Sequence, residues 1–284
     1  MTAGLPDSLS DFIDEVETSE KTLLLLNRTE PEPLVNLLDR AFETQSVRIE
    51  ERHIPEGDTD QVCLVEDGRV TATTSFADLS ETFLLINADR YRTSTGRPET
   101  GTFPAVLTGL DDIEFTVRGF PESNKEKLLL IVISRFIEDR ALNCGRGTFH
   151  STFQRLSRLD DEFGTRRMYE WLGESDVDTH VYGVRDDPGV VDDLDVTVHE
   201  GTTHEYRRSW VVLFDPDSDV DAAGTAAPDS TGEAADASAG RRVGDACSPV
   251  ALVALETGPN VWRSMWTYDP ERVSRIHRYV AETF

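Results

Sequence analysis

Apolar positions along the chain fall into short blocks of two different periods, so helices and strands alternate from end to end. Leu9, Phe12, Ile13 and Val16 recur at spacings of three and four, predicting a short amphipathic helix over residues 8–18. Thr22 to Asn27 reads as a buried strand, and Pro31 and Pro33 open a helix carrying Leu34, Leu37, Leu38 and Ala41. Strands follow at 47–50, 62–65 and 70–73, the last two flanking Asp67-Gly68, a strong short-hairpin signal. A helix is expected from Phe76 to about Leu85, a polar loop over 87–103, and the longest helix over 122–142, ended by Asn143-Cys-Gly-Arg-Gly147. Thr148-Phe-His-Ser-Thr-Phe-Gln leads into a helix near 160–173, and strands are expected at 179–184 and 196–200.

The last third has the clearest pattern. Ser209-Trp-Val-Val-Leu-Phe-Asp215 and Ser248 to Glu256 are apolar on both faces, as in central strands. Val261 to Tyr268 is a third strand. Asp269-Pro270-Glu271 then carries the capping carboxylate, first-turn proline and following acid of a helix start. Between the first two of these strands, 216–246 is Ala, Asp, Gly, Ser and Thr, too poor in apolar surface to offset its ordering entropy. The expected architecture is α+β, with mixed and antiparallel sheets, packed helices and a long disordered hairpin insertion. Residues 1–120 form an N-terminal α/β region and 121–284 a second region containing the insertion.

Charge adds a condition to this picture. The chain has 54 acidic against 28 basic residues, a net charge of −26 over 284 residues. Only Lys21, Lys125 and Lys127 are lysines; the other basic residues are arginines. Self-repulsion of this size destabilises a compact state unless salt screens it, and near 1 M the Debye length falls to about 3 Å. We therefore expect a protein of a salt-loaded cytoplasm. That charge also argues against direct nucleic-acid binding. The longest apolar run, Leu128 to Ile133, is far short of the roughly 20 residues of a membrane span. The N-terminus lacks the regions of a signal peptide. Cys63, Cys144 and Cys247 are far apart, odd in number and without a C-x-x-C, so neither a disulfide framework nor a zinc site is expected.

Candidate chemistry is thin. His199-Glu-Gly-Thr-Thr-His204 spaces its histidines by five, where a helical zinc motif needs four, and Gly201 favours a strand end. Asp215-Pro-Asp217-Ser-Asp219 resembles a calcium loop, but Val220 and Ala226 stand where glycine and glutamate are required. Gly145-Arg-Gly147 fails the dinucleotide fingerprint, and no P-loop, G-x-S-x-G or kinase signature occurs. His53, His180 and His277 read as ordinary residues. We expect no catalytic residue, metal or cofactor. Two clusters remain. Residues 135–167 hold seven arginines against five acids. Arg146, Arg155, Arg158, Arg166 and Arg167 are either a docking surface for acidic groups or partners of neighbouring carboxylates. Trp210, Phe214, Trp262, Trp266 and Tyr268 are either core or the lining of a pocket.

Gly147-Thr-Phe-His-Ser-Thr-Phe-Gln-Arg-Leu-Ser, His180-Val-Tyr-Gly-Val, Arg208-Ser-Trp-Val-Val-Leu-Phe-Asp and Met265-Trp-Thr-Tyr-Asp-Pro-Glu-Arg-Val together resemble the DICT sensory domain. The resemblance covers about 125–284, and the chain is similar to stand-alone members from salt-loving archaea. It departs at Val261-Trp-Arg-Ser-Met265 and in the length of the insertion. The resemblance implies an α+β fold and a light- or redox-linked sensory role, without established catalytic residues. The expected function is a non-enzymatic signal-transduction module acting through a partner, a kinase or transcription regulator. Alternatives are a transcription co-regulator and an enzyme on small anionic metabolites. Candidate ligand- or partner-binding residues are Arg146, His150, Arg155, Arg158, Arg166, Arg167, Trp210, Trp266 and Tyr268.

Overall fold

The computed structural model describes residues 6, 8–16, 20–29, 42, 47–55, 57–87, 103–118, 128–161, 163–187, 189–217 and 247–284. In chain order these form α1 (Leu9–Asp14), β1 (Lys21–Leu26), β2 (Val47–Arg52), β3 (Gln61–Glu66), β4 (Arg69–Ser75) and α2 (Phe76–Asn87). Next come α3 (Ala105–Thr108), β5 (Phe115–Arg118), α4 (Leu128–Cys144), β6 (Thr148–Phe153), α5 (Arg158–Asp161) and α6 (Phe163–Gly173). The chain closes with β7 (Asp178–Gly183), β8 (Thr197–Glu200), α7 (His204–Arg208), β9 (Ser209–Asp215), β10 (Val250–Gly258), β11 (Val261–Thr267) and α8 (Pro270–Thr283). The expected helix over 31–41, the first residues of the helix expected at 122, and nearly all of the 87–103 loop and the 216–246 insertion lie outside the described residues.

Both sheets mix parallel and antiparallel pairs, so the α+β architecture is the one expected. The smaller runs β2-β1-β3-β4 and the larger β5-β11-β10-β9-β6-β7-β8. β9 and β10 lie inside the larger sheet, paired antiparallel from Val250↔Phe214 to Leu255↔Ser209. Their apolar runs follow from this position, because both faces are covered. One face carries Phe149, Val181, Val212, Leu252 and Trp266 against α4, α6 and the smaller sheet. The other carries Val211, Leu213, Ala251, Val253 and Met265 against α1 and α8. Segments from before residue 121 enter the larger sheet directly: β5 pairs with β11, and α1 packs on the α8 side.

Local signals act as expected at two turns and one cap. Asp67 (φ 51°) and Gly68 (φ 75°) both take the left-handed conformations of a tight hairpin turn. The Asp269 carboxylate accepts from the amides of Glu271 and Arg272, a cap worth about 1 kcal/mol. At Gly147 (φ 95°) a Cβ would lie 2.5 Å from the Asp215 carbonyl, so only glycine lets β6 start beside the end of β9.

Three features depart from expectation. Thr148–Phe153, ahead of the expected helix near 160–173, is itself a buried strand, and the short elements α3 and β5 were not expected. Cys144 and Cys247 form a disulfide across a sequence separation of 103, with Cα atoms 5.1 Å apart. Cys144 ends α4, and the β9–β10 hairpin returns Cys247 to that point, so their distance in sequence was no guide. Cys63 is free and buried. Lys21 is 1% exposed; its ammonium donates to the carbonyl oxygens of Gly109 (3.0 Å) and Asp111 (2.6 Å) and meets the Asp111 carboxylate at 3.2 Å. Among the described residues no helix is long and apolar enough to cross a membrane.

Candidate functional site

Short polar side chains where α4 crosses the larger sheet leave a cavity of about 310 Å³. Ser134 from α4, Ser151 and Thr152 from β6, Ser209 at the start of β9 and Thr165 from α6 line it. Trp210 and Trp262 form the apolar wall, edge to face at 5.9 Å between ring centroids. The Trp210 indole N–H donates to Ser134 Oγ at 3.1 Å, which fixes the ring. The Thr152 hydroxyl oxygen accepts from the Val211 amide at 2.8 Å, tying β6 to β9.

The charged wall is held in place by its own pairs. Arg135 and Glu138, three residues apart on one face of α4, meet at 2.7 Å, and Arg135 also donates to Thr165 Oγ1 at 2.5 Å. Glu138 is buried and accepts from the Tyr169 hydroxyl at 3.4 Å. Burial, and then the Glu138 charge, push the Tyr169 phenol well above its usual range, so it remains a donor. Gln154 and Arg158 complete the rim. The cavity thus offers indole faces, hydroxyls and one internally compensated ion pair, a lining suited to a small polar molecule with a flat apolar part.

The nine candidate residues do not form one site. Arg158 and Trp210 line the cavity. Arg146 and Arg155 are exposed and form no ion pair among the described residues, but they sit beyond opposite ends of β6, separated by about 20 Å of strand. Arg166 is engaged by Asp160 (2.7 Å), Glu170 (3.5 Å) and the Val190 carbonyl (2.9 Å). Arg167 pairs with Glu170 at 3.7 Å and lies over the Trp171 ring. A single arginine face is therefore not built. Trp266 is fully buried, edge to face with Phe115 at 5.0 Å, and Tyr268 donates to the Thr108 carbonyl at 3.0 Å.

His150 lies on the opposite face of the sheet, in a cluster that local reading missed. Parallel pairing sets His150 beside His180 and Tyr182 beside His199, and α8 lowers His277 onto them. Four of the chain's six histidines meet there. His150 Nδ1 bonds to the Tyr182 hydroxyl at 2.8 Å, and His180 Nδ1 to His199 Nε2 at 2.9 Å. Among the described residues no group of three or more His, Cys, Asp or Glu is arranged to hold a metal ion. His204 stands apart at the start of α7, so the His199–His204 spacing brings no pair together.

The chain matches no family model and no curated protein. Among solved structures it is similar to the polyphosphate kinase from Porphyromonas gingivalis, at TM-score 0.31 and 10% identity, over 96% of this chain and 46% of that one. The chain spans less than half the length of that kinase, and a likeness at this level carries no argument about activity.

Proposed function

We propose that this chain is a non-enzymatic sensory module that takes a small polar, partly aromatic molecule into the α4–sheet cavity and reports it to a signalling protein. The observation that carries the reading is the cavity itself: hydroxyls and an indole wall around about 310 Å³ of open space. The ion pair on its wall is already satisfied within the protein, which suits recognition better than proton transfer or nucleophilic attack. The resemblance of 125–284 to the DICT sensory domain supports the same reading. Because α4 and α6 both border the cavity, an occupant that shifts either helix alters the outer surface a partner would meet.

The test is a titration of the full chain, in molar potassium chloride, with nucleosides, aromatic amino acids and their hydroxylated derivatives. Saturable quenching of tryptophan emission and a raised Tm are expected for at least one class. Both should vanish in Ser134→Leu, which fills the cavity. Quenching that survives in Ser134→Leu, or no stabilisation by any class, would overturn the proposal.

A further inference from the structure

We propose that the four-histidine cluster is a proton-operated latch that holds α8 on the sheet and loosens it in acid. Three members, His150, His180 and His199, belong to adjacent strands, while the fourth, His277, belongs to the helix. The His150 and His277 rings are 4.6 Å apart, His150 and His180 are 4.8 Å apart, and His180 and His199 are 5.2 Å apart. His150 is 2% exposed, and its Nε2 has no hydrogen-bond partner. Such a stack is stable only while most of its imidazoles are neutral, because like charges this close in a partly dry site repel strongly.

The surrounding groups decide how many protons are tolerated. From β7, Asp178 bonds to His180 Nε2 at 3.0 Å, and from β9, Asp215 faces His277 Nδ1 at 3.4 Å. Tyr182 bonds to His150 and stacks on His199 at 4.3 Å. Tyr206 of α7 donates to the Phe284 carbonyl, and Glu205 accepts from Tyr279 of α8 at 3.2 Å. Asp215 thus serves His277 at one end of the stack, and Asp178 serves His180 within it. His150, between His277 and His180, bonds to Tyr182 and to no carboxylate, and His199 has only the influence of Asp178. A proton on His150 has no carboxylate beside it and meets the rings of His277 and His180, and moving His277 away with α8 relieves the repulsion.

The direction follows from the same contacts. Burial first, then His277, His180 and His199, hold His150 well below the ordinary histidine value of 6.5. Burial and His180 lower His199, with Asp178 opposing. A depressed histidine stabilises the closed form above about pH 6.5, and that contribution is lost as pH falls below it. Asp215, held low by its bond to His277, stays ionised across this window. Val273, Ile276, Tyr279 and Val280 remain buried under α8, so acid increases the opening of the helix without detaching it wholesale.

Hydrogen exchange of the full chain at pH 7.5, 6.5 and 5.5, in constant molar potassium chloride and corrected for intrinsic rate, tests this. Protection of residues 270–283 should fall by about tenfold per pH unit for each proton taken up on opening, while β3 changes little. His150→Phe should flatten that dependence. Should loss of the Tyr182 partner unfold that variant, His277→Asn, which leaves the sheet intact, should flatten it instead. Equal pH slopes for α8 and β3, or a slope unchanged in the folded variant, would overturn the latch.

Discussion

Cutting the Cys144–Cys247 bridge should cost this protein stability on a scale set by the length of chain it closes. The two cysteines are 103 residues apart, and for a loop of about 100 residues the chain-entropy model gives about 4.7 kcal/mol at 25 °C. At about 2.1 cal/mol/K per residue, the unfolding entropy of 284 residues is about 0.6 kcal/mol/K, so Tm should fall by about 8 °C. The bridge also staples the end of α4, which carries Ser134, Arg135 and Glu138, to the residues entering β10. Its loss should therefore loosen the cavity wall before it loosens the smaller sheet. The assay compares melting of the oxidised chain, with and without reductant, with melting of Cys144→Ser/Cys247→Ser in the same salt. The wild type should drop on reduction and the double variant should ignore reductant. A double variant melting within a degree of the oxidised parent would refute the reasoning. So would a wild type indifferent to reductant while mass spectrometry shows its thiols free.

Lowering potassium chloride from molar to about 0.1 M extends the Debye length to about 10 Å, so a chain of net charge −26 should melt earlier; an unchanged Tm would remove the salt-adapted reading. Trp266→Ala empties a fully buried site beside Phe115 and should cost about 3–5 kcal/mol by denaturant titration. Trp210→Ala, at the half-buried cavity wall, should cost less and abolish ligand quenching. Arg135→Met takes a guanidinium at 2.7 Å from the buried Glu138 carboxylate and should cost about 3–5 kcal/mol, a loss that Arg135→Met/Glu138→Leu should largely restore.

How much of this was legible depends on whether a feature is local. β9 and β10 announce themselves by apolar runs, the Asp67-Gly68 hairpin by its turn chemistry and α8 by Asp269-Pro270-Glu271. β6 was missed because its buried positions are His150, Ser151 and Thr152 as well as Phe149, so neither an apolar run nor an alternation marks it. That one omission hid much else. Without β6, Arg146 and Arg155 look like neighbours; with it, they stand at opposite ends of a strand. The histidine cluster depends on the register of three parallel strands, which no spacing within one segment reveals. The cavity is made by side chains that are too small, and missing volume has no signature until the packing is known. The disulfide was hidden for a similar reason, since only the β9–β10 return brings its halves together.

Lys21 has a practical consequence for anyone watching this protein open. The chain has three lysines, and this one is sealed beneath the 109–111 turn with its ammonium shared between two carbonyls and a carboxylate. An amine-acylating reagent cannot reach it while β1 stays paired with β3, because its amine is buried and engaged by the 109–111 turn. Acylation at this residue, read peptide by peptide by mass spectrometry, therefore marks the fraction of molecules whose smaller sheet has come apart. With so few other lysines to compete for reagent, the chain carries its own clock for that event.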